Sequence, residues 1–349
     1  MLCILPNSFY HLLVGPPAGA NRSKRLMTDL FYELDGNPVP KNAFSGFLTT
    51  RDRKQIRFAR FSATGRPLKG TVVVLPGRNE CIEKYFETVR DLTSRGFGVA
   101  MLDWRGQGAS DRLLKNPQRG YVKSFQDYAG DLEQLFMEVV LPDCRGPYYI
   151  LAHSAGALVA LIASANMVNR VQRMVLIAPF LDLPDQRVSM TTVRRLGSVL
   201  TYIGLGRLYA AWGPRKALPT PFERNLLTSD PERYRRNTGL YQAYPQLALG
   251  GPTVRWLRAA AIATETVRDP EFMARMKIPS LIIGAGNDRV VSTRAVEHFA
   301  RHIRLGSFLM IDGAKHEILQ EKDYYREQLL AAFDAFIPGS DEKASADAS

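Results

Sequence analysis

The segment YYILAHSAGALVALIA, residues 148–163, breaks a long apolar stretch with a hydroxyl. Ser154 stands there beside His153, with the small residues Ala152, Ala155 and Gly156 around it. A strand that turns sharply into a helix strains its central residue and crowds the positions two before and two after. That crowding is the steric reason behind the G-x-S-x-G nucleophile elbow. Gly156 meets the demand fully, and Ala152 exceeds it by one methyl. The turn would lift the Ser154 hydroxyl above the C-terminal edge of a sheet. It would also leave the Ala155 N–H at a helix N-terminus, able to stabilise negative charge. The chemistry would be acyl transfer through a serine nucleophile. Alone, Ser154 fits a helix N-cap as well, so its partners decide.

A serine nucleophile needs a base. The chain holds five histidines, His11, His153, His298, His302 and His316. His153 adjoins the serine, and at so sharp a turn its side chain is expected to point elsewhere. His298 and His302 are spaced i,i+4 without a third ligand at motif spacing, which reads as surface or packing rather than metal. His11 lies in an apolar leader. His316, in MIDGAKHEIL, follows the last strand at the correct sheet edge. Its orienting carboxylate is expected to be Asp288 in LIIGAGNDRVV, which gives the chain order Ser154, Asp288, His316. Asp312 is the competing orienter, and Asp103 is expected to structure its loop together with Arg105. In VVVLPGRNECIEKY, Gly77 admits close backbone approach and the Arg78 N–H is the second candidate oxyanion donor. Such a donor is worth about 10²–10³ in rate. Glu80 and Lys84, at i,i+4, can pair and brace that loop, or form a plain surface pair.

These residues need a scaffold that brings distant segments to one edge. IRFARF (56–61) and GTVVVLPG (70–77) read as strands, a helical pattern runs from Asn79 to Ser94, and FGVAMLDWRG (97–106) is a strand entering a glycine-rich loop. A helix near 125–140, the strand YYILAH, the helix GALVALIASANM and the strand VQRMVLIAPF follow. Continuously apolar strands alternating with helices indicate a parallel sheet covered on both faces. The alternation stops from about 181 to 272, where helical patterns are punctuated by prolines. It resumes with PSLIIGAGND (279–288), a helix at 292–303, SFLMID (307–312) and a closing helix at 321–337. The expected organisation is a leader at 1–27, an α/β core at 28–180 and 273–337, a helical insertion at 181–272 and a disordered tail at 338–349.

A chain of 349 residues with 46% hydrophobic and 23% charged residues suits a large globular core. Cys3, Cys81 and Cys144 are widely spaced and odd in number, which points to free thiols in a reducing compartment. No apolar run reaches the ~18 residues of a membrane span. The leader lacks a basic n-region and is interrupted by Pro6, Asn7, Ser8 and His11, so an untranslated or disordered extension is expected ahead of Met27. The net charge of +12 favours anionic partners. Its basic clusters NRSKR, RDRKQIR and RYRR have no nucleic-acid module spacing, and no nucleic-acid partner is expected.

With these residues in place, the chain resembles the α/β-hydrolase superfamily, and within it the bacterial lysophospholipases grouped with monoacylglycerol lipases, which share a serine-aminopeptidase-type domain. The resemblance covers most of 28–337 and rests on PGRNECIEKY, DWRGQGASDR, FQDYAGDL, LAHSAGA, GNDRVV and GAKHEILQEKD in that order. Three positions depart from it: Pro76 where monoacylglycerol lipases usually carry His, Ala152 for the first elbow glycine, and Ala157 for a frequent later one. The resemblance implies an α/β-hydrolase fold whose insertion at 181–272 is a lid. That insertion carries 13 Arg/Lys against 8 Asp/Glu, with Trp212, Phe222, Tyr241 and Trp256 as apolar groups. They read either as a surface for anionic headgroups and an acyl chain, or as the core of a helical subdomain. The implied activity is cleavage of a lysophospholipid or monoacylglycerol ester through an acyl-enzyme on Ser154, with no metal or organic cofactor. A cytoplasmic location is expected, with peripheral contact at the inner face of the membrane as a further expectation. A general carboxylesterase, an aminopeptidase, an acyltransferase or a non-catalytic small-ligand receptor are the alternatives. An aminopeptidase would need an amine-binding carboxylate cluster in the insertion, whose acids are scattered.

Overall fold

The computed structural model describes residues 30–184, 188–210 and 220–338. The leader, the tail beyond residue 338, His11, Cys3 and Trp212 lie outside the described residues. The strands are β1 (Ala43–Thr49), β2 (Gln55–Phe61), β3 (Gly70–Leu75), β4 (Phe97–Leu102), β5 (Tyr148–His153), β6 (Val171–Ile177), β7 (Ser280–Ala285) and β8 (Gly306–Ile311). They form one sheet in the order β1-β2-β4-β3-β5-β6-β7-β8. β2 runs antiparallel to β1 and β4, and every pairing from β4 onward is parallel. All six residues of β3 and of β7 are buried, as strands covered on both faces must be.

Helices α1 (Phe86–Ser94), α2 (Phe125–Leu135), the one-turn α3 (Leu141–Asp143) and α4 (Ala155–Met167) belong to the first half of the chain. Between β6 and β7 come α5 (Met190–Tyr202), α6 (Pro231–Ala243), α7 (Val254–Val267) and α8 (Pro270–Arg275); α9 (Thr293–His302) and α10 (Asp323–Phe336) complete the chain. The prolines that punctuate the insertion are partly start signals. Pro231 and Pro270 occupy first helical turns, and Asp230 and Asp269 cap them by accepting backbone N–H bonds. α4 is buried on nearly every side, which explains its lack of an amphipathic pattern.

Two readings of the sequence are corrected. β1 is a strand that sequence inspection passes over, because it is an edge strand of mixed burial without a continuous apolar run. The helical pattern assigned from Asn79 begins only with a 3₁₀ turn at Ile82–Tyr85, followed by α1. Asn79 adopts a left-handed backbone, φ +59°, and its N–H is taken by the Gln107 side chain at 2.7 Å, so no helix can pass through it.

Candidate active site

Ser154 joins β5 directly to α4. Its φ of +51° and ψ of −116° lie where non-glycine residues rarely go. The conformation is over-determined. The Ser154 N–H donates to the Ile177 carbonyl at 2.9 Å, and its own carbonyl accepts from the Phe180 N–H at 3.1 Å. Crowding at the turn is real. A Cβ on Gly156 would lie 2.4 Å from the Pro76 oxygen and 2.5 Å from that of Leu75. Ala152 is buried, and its methyl is accommodated.

The Ser154 Oγ lies 2.9 Å from His316 Nε2, and His316 Nδ1 lies 2.7 Å from Asp288 Oδ2. Asp288 follows β7, and its other carboxylate oxygen accepts from the Val290 and Val291 amides at 2.7 and 3.0 Å. Burial would raise the Asp288 carboxyl, but the hydrogen bond to His316 and these two amides hold it below the usual carboxylate range. Asp312 is exposed and makes no such approach. His298 and His302 are exposed on α9 with rings stacked at 4.0 Å.

The loop after β3 supplies the other wall. The Gly77 N–H is bonded to the Glu80 carboxylate, and the Pro76 carbonyl accepts from Trp104 Nε1 at 2.8 Å. A Cβ on Gly77 would lie 2.8 Å from Glu80 and 2.9 Å from the His153 ring, so the loop backbone packs tightly beside the elbow. The Arg78 amide is the next one along. The Ala155 amide is the first of α4, a position with no intrahelical acceptor.

Sequence inspection missed what lies beneath. His153 does turn away from the Ser154 hydroxyl, and its ring packs 4.8 Å from that of His316. His153 Nε2 donates to the His316 carbonyl at 3.1 Å, and its Nδ1 faces Glu80 Oε2 at 3.2 Å. Burial would lower this imidazole, yet the Glu80 charge raises it above its ordinary value. Glu80 and Lys84 do pair, at 2.9 Å, but in the interior, and Lys84 also reaches Glu317 at 2.6 Å. The oxyanion-side loop and the His316 loop are therefore joined through buried charges.

Asp103 is likewise a structural carboxylate, with a different partner from the one expected. It pairs with Arg57 at 2.7 Å and accepts from the Ile82 and Ala109 amides, while Arg57 also binds Glu83 at 2.6 Å. Arg105 instead binds Asp131 and Asp52. Arg57 lies in β2, far in sequence from Asp103, and no local spacing signals that pairing.

The family model described as serine aminopeptidase, S33, matches residues 66–323. The chain belongs to this family. As an S33 member it is 35% identical to lysophospholipase L2 of Escherichia coli K12 over 289 residues, which are 81% of this chain and 84% of that protein. The fold is also seen in solved structures. A thermostable carboxyl esterase from Bacillus coagulans superposes with a TM-score of 0.69 at 18% identity, covering 85% of this chain and 99% of that one. A soluble variant of monoglyceride lipase from Saccharomyces cerevisiae gives 0.66 at 16% identity, covering 87% and 96%.

Proposed function

We propose that this S33 member is a serine hydrolase of lipid carboxylic esters, acting on a lysophospholipid or monoacylglycerol. The observation that carries the catalytic reading is the single imidazole held between the Ser154 hydroxyl and the Asp288 carboxylate. His316 takes the Ser154 proton as the hydroxyl oxygen attacks the ester carbonyl. The Arg78 and Ala155 amides stabilise the tetrahedral oxyanion. His316 passes its proton to the leaving alcohol, and Asp288 stabilises the imidazolium in between. Water then repeats the attack on the acyl-enzyme and releases the fatty acid. His153 and the Glu80–Lys84–Glu317 cluster hold His316 and the oxyanion-side loop in register.

The lipid reading rests on the likeness to lysophospholipase L2 and on the character of the segment 181–272, which acts as a lid in this proposal. Trp256 is not an exposed lipid-facing group, since its ring packs against Phe125 and Phe180. Tyr241 is half-buried and donates to the Asn79 carbonyl at 2.9 Å. Among the described residues of this segment, the most exposed apolar groups stand on and just after α5. Leu196 is 57% exposed, Val199 59%, Tyr202 92% and Ile203 59%, with the exposed Arg195 and Arg207 beside them. Such a stripe is suited to peripheral contact with an anionic membrane surface. Among the described residues no helix is long and apolar enough to cross a membrane.

A fluorophosphonate probe tests the nucleophile. Wild type is expected to be labelled at Ser154, and Ser154→Ala to lose both label and turnover while retaining its fold. Labelling at another serine would overturn the assignment.

A further inference from the structure

The Arg78 side chain has a cation's chemistry and no counter-charge among the described residues. Among the described residues no carboxylate lies within ion-pair distance of it, and the segment 211–219 contains no acidic residue. Of its five N–H donors, only Nη2 is engaged, on the Gly250 carbonyl, while the buried Nε has no partner. The guanidinium lies 5.4 Å from the centre of the Trp256 ring and against Gly120, where a Cβ would come within 2.6 Å of it. Burial pulls this group down to about 10, with only the Tyr128 and Tyr209 hydroxyls opposing. A partly buried guanidinium without an anion is costly, and a tether to one carbonyl does not require a charge.

Its position makes the cost intelligible. The backbone amide of this same residue faces the reacting carbonyl in the proposed mechanism. The guanidinium rests on Trp256, whose ring is 6.3 Å from that of Phe180, and the Phe180 amide is bonded to Ser154. The guanidinium thus lies where the oxyanion-side loop meets the insertion, at Gly250 and Trp256. In a lysophospholipid the phosphate follows the scissile ester by the glycerol carbons and one further oxygen. A monoacylglycerol has a hydroxyl at that end.

We propose that Arg78 binds the phosphodiester of a lysophospholipid through its idle guanidinium donors and thereby selects lysophospholipids over monoacylglycerols. The assignment rests on the lipid-ester reading above. Arginine is suited to the task, since its planar fork presents two parallel donors to a phosphate.

The test compares kcat/KM on a lysophosphatidylglycerol with kcat/KM on the monoacylglycerol of the same acyl chain. Wild type, Arg78→Gln and Arg78→Lys are measured, and the readout is the ratio of the two constants. Loss of a charge-assisted contact is worth about 10- to 100-fold, so Arg78→Gln is expected to lower the ratio by that factor. Arg78→Lys keeps the charge and is expected to retain most of the ratio. A ratio that does not move in Arg78→Gln, or falls as far in Arg78→Lys, overturns the proposal. A second measurement needs no variant. With wild type, glycerophosphoglycerol is expected to compete with p-nitrophenyl butyrate at concentrations at least about 10-fold below those of glycerol. Equal potency overturns the proposal. Wild type that cleaves the monoacylglycerol and not the lysophospholipid overturns the role of Arg78 and leaves the ester-hydrolase reading standing. Cleavage of neither overturns that reading itself.

Discussion

Gly156 carries no reactive group, yet its substitution by alanine is expected to disable the site. The added Cβ would sit 2.4 Å from the Pro76 oxygen and 2.5 Å from the Leu75 oxygen, both of them backbone atoms at the end of β3. Close carbon–oxygen contacts settle at about 3.3 Å or beyond, so the strand end must retreat by about 0.9 Å. The same strand end continues into Gly77 and Arg78, whose amide is the proposed oxyanion donor. A misplacement of about 1 Å can cost about 10²-fold in rate, and loss of one oxyanion donor costs about 10²–10³. Overpacking adds about 1–3 kcal/mol of destabilisation. Gly156→Ala should therefore lower kcat on a p-nitrophenyl ester by about 10²-fold or more, with a fall in Tm of a few degrees. The control is Ala152→Gly, which removes a buried methyl from the other crowded elbow position. It is expected to cost roughly 1 kcal/mol of stability and to leave kcat within about threefold of wild type. A folded Gly156→Ala enzyme with wild-type kcat would refute the reasoning, because the oxyanion-side loop could then not be what the glycine protects.

Asp288→Asn should keep the fold and lower kcat by about 10³–10⁴, because an amide can hold the imidazole in the wrong tautomer. Near-wild-type turnover would transfer the orienting role to Asp312. Glu87 links α1 to the insertion by accepting from Arg233 at 2.6 Å and from Arg236 at 2.7 Å. Burial would raise its carboxyl, but the Arg233 hydrogen bond and the surrounding guanidinium charges draw it down to about 2. A carboxyl depressed on folding stabilises the folded state above its ordinary value, about 4.3, and loses that contribution as the pH falls towards 2. Glu87→Gln should thus be less stable than wild type at pH ~7, by on the order of 1–3 kcal/mol, and the gap should shrink by pH ~3. Urea unfolding at the two pH values measures it, and a gap independent of pH would refute the assignment.

Much of the architecture was legible because the interior strands report their own burial. GTVVVL and SLIIGA are apolar throughout, and only a sheet covered on both faces asks for that. β1 was not legible for the converse reason: an edge strand satisfies solvent on one side and carries a mixed pattern. The helix from Asn79 failed because its periodicity was real only from the 3₁₀ turn onward, while a left-handed backbone and a side-chain bond from Gln107 governed its first turn. The nucleophile elbow was visible as a steric demand, in Ala152 and Gly156 on either side of Ser154.

Local chemistry is written in residue type and spacing, and on that footing the sequence alone determined the strand–helix alternation, the crowded serine turn and the short choice of bases. Partnership across the fold is another matter. That Asp103 answers Arg57 rather than Arg105, that His153 turns beneath His316, and that Arg78 meets no acid among the described residues were all decided by the tertiary structure. A charge pairing between residues far apart in the chain leaves no periodic trace, because its energy depends on through-space distance and desolvation. Only packing sets those.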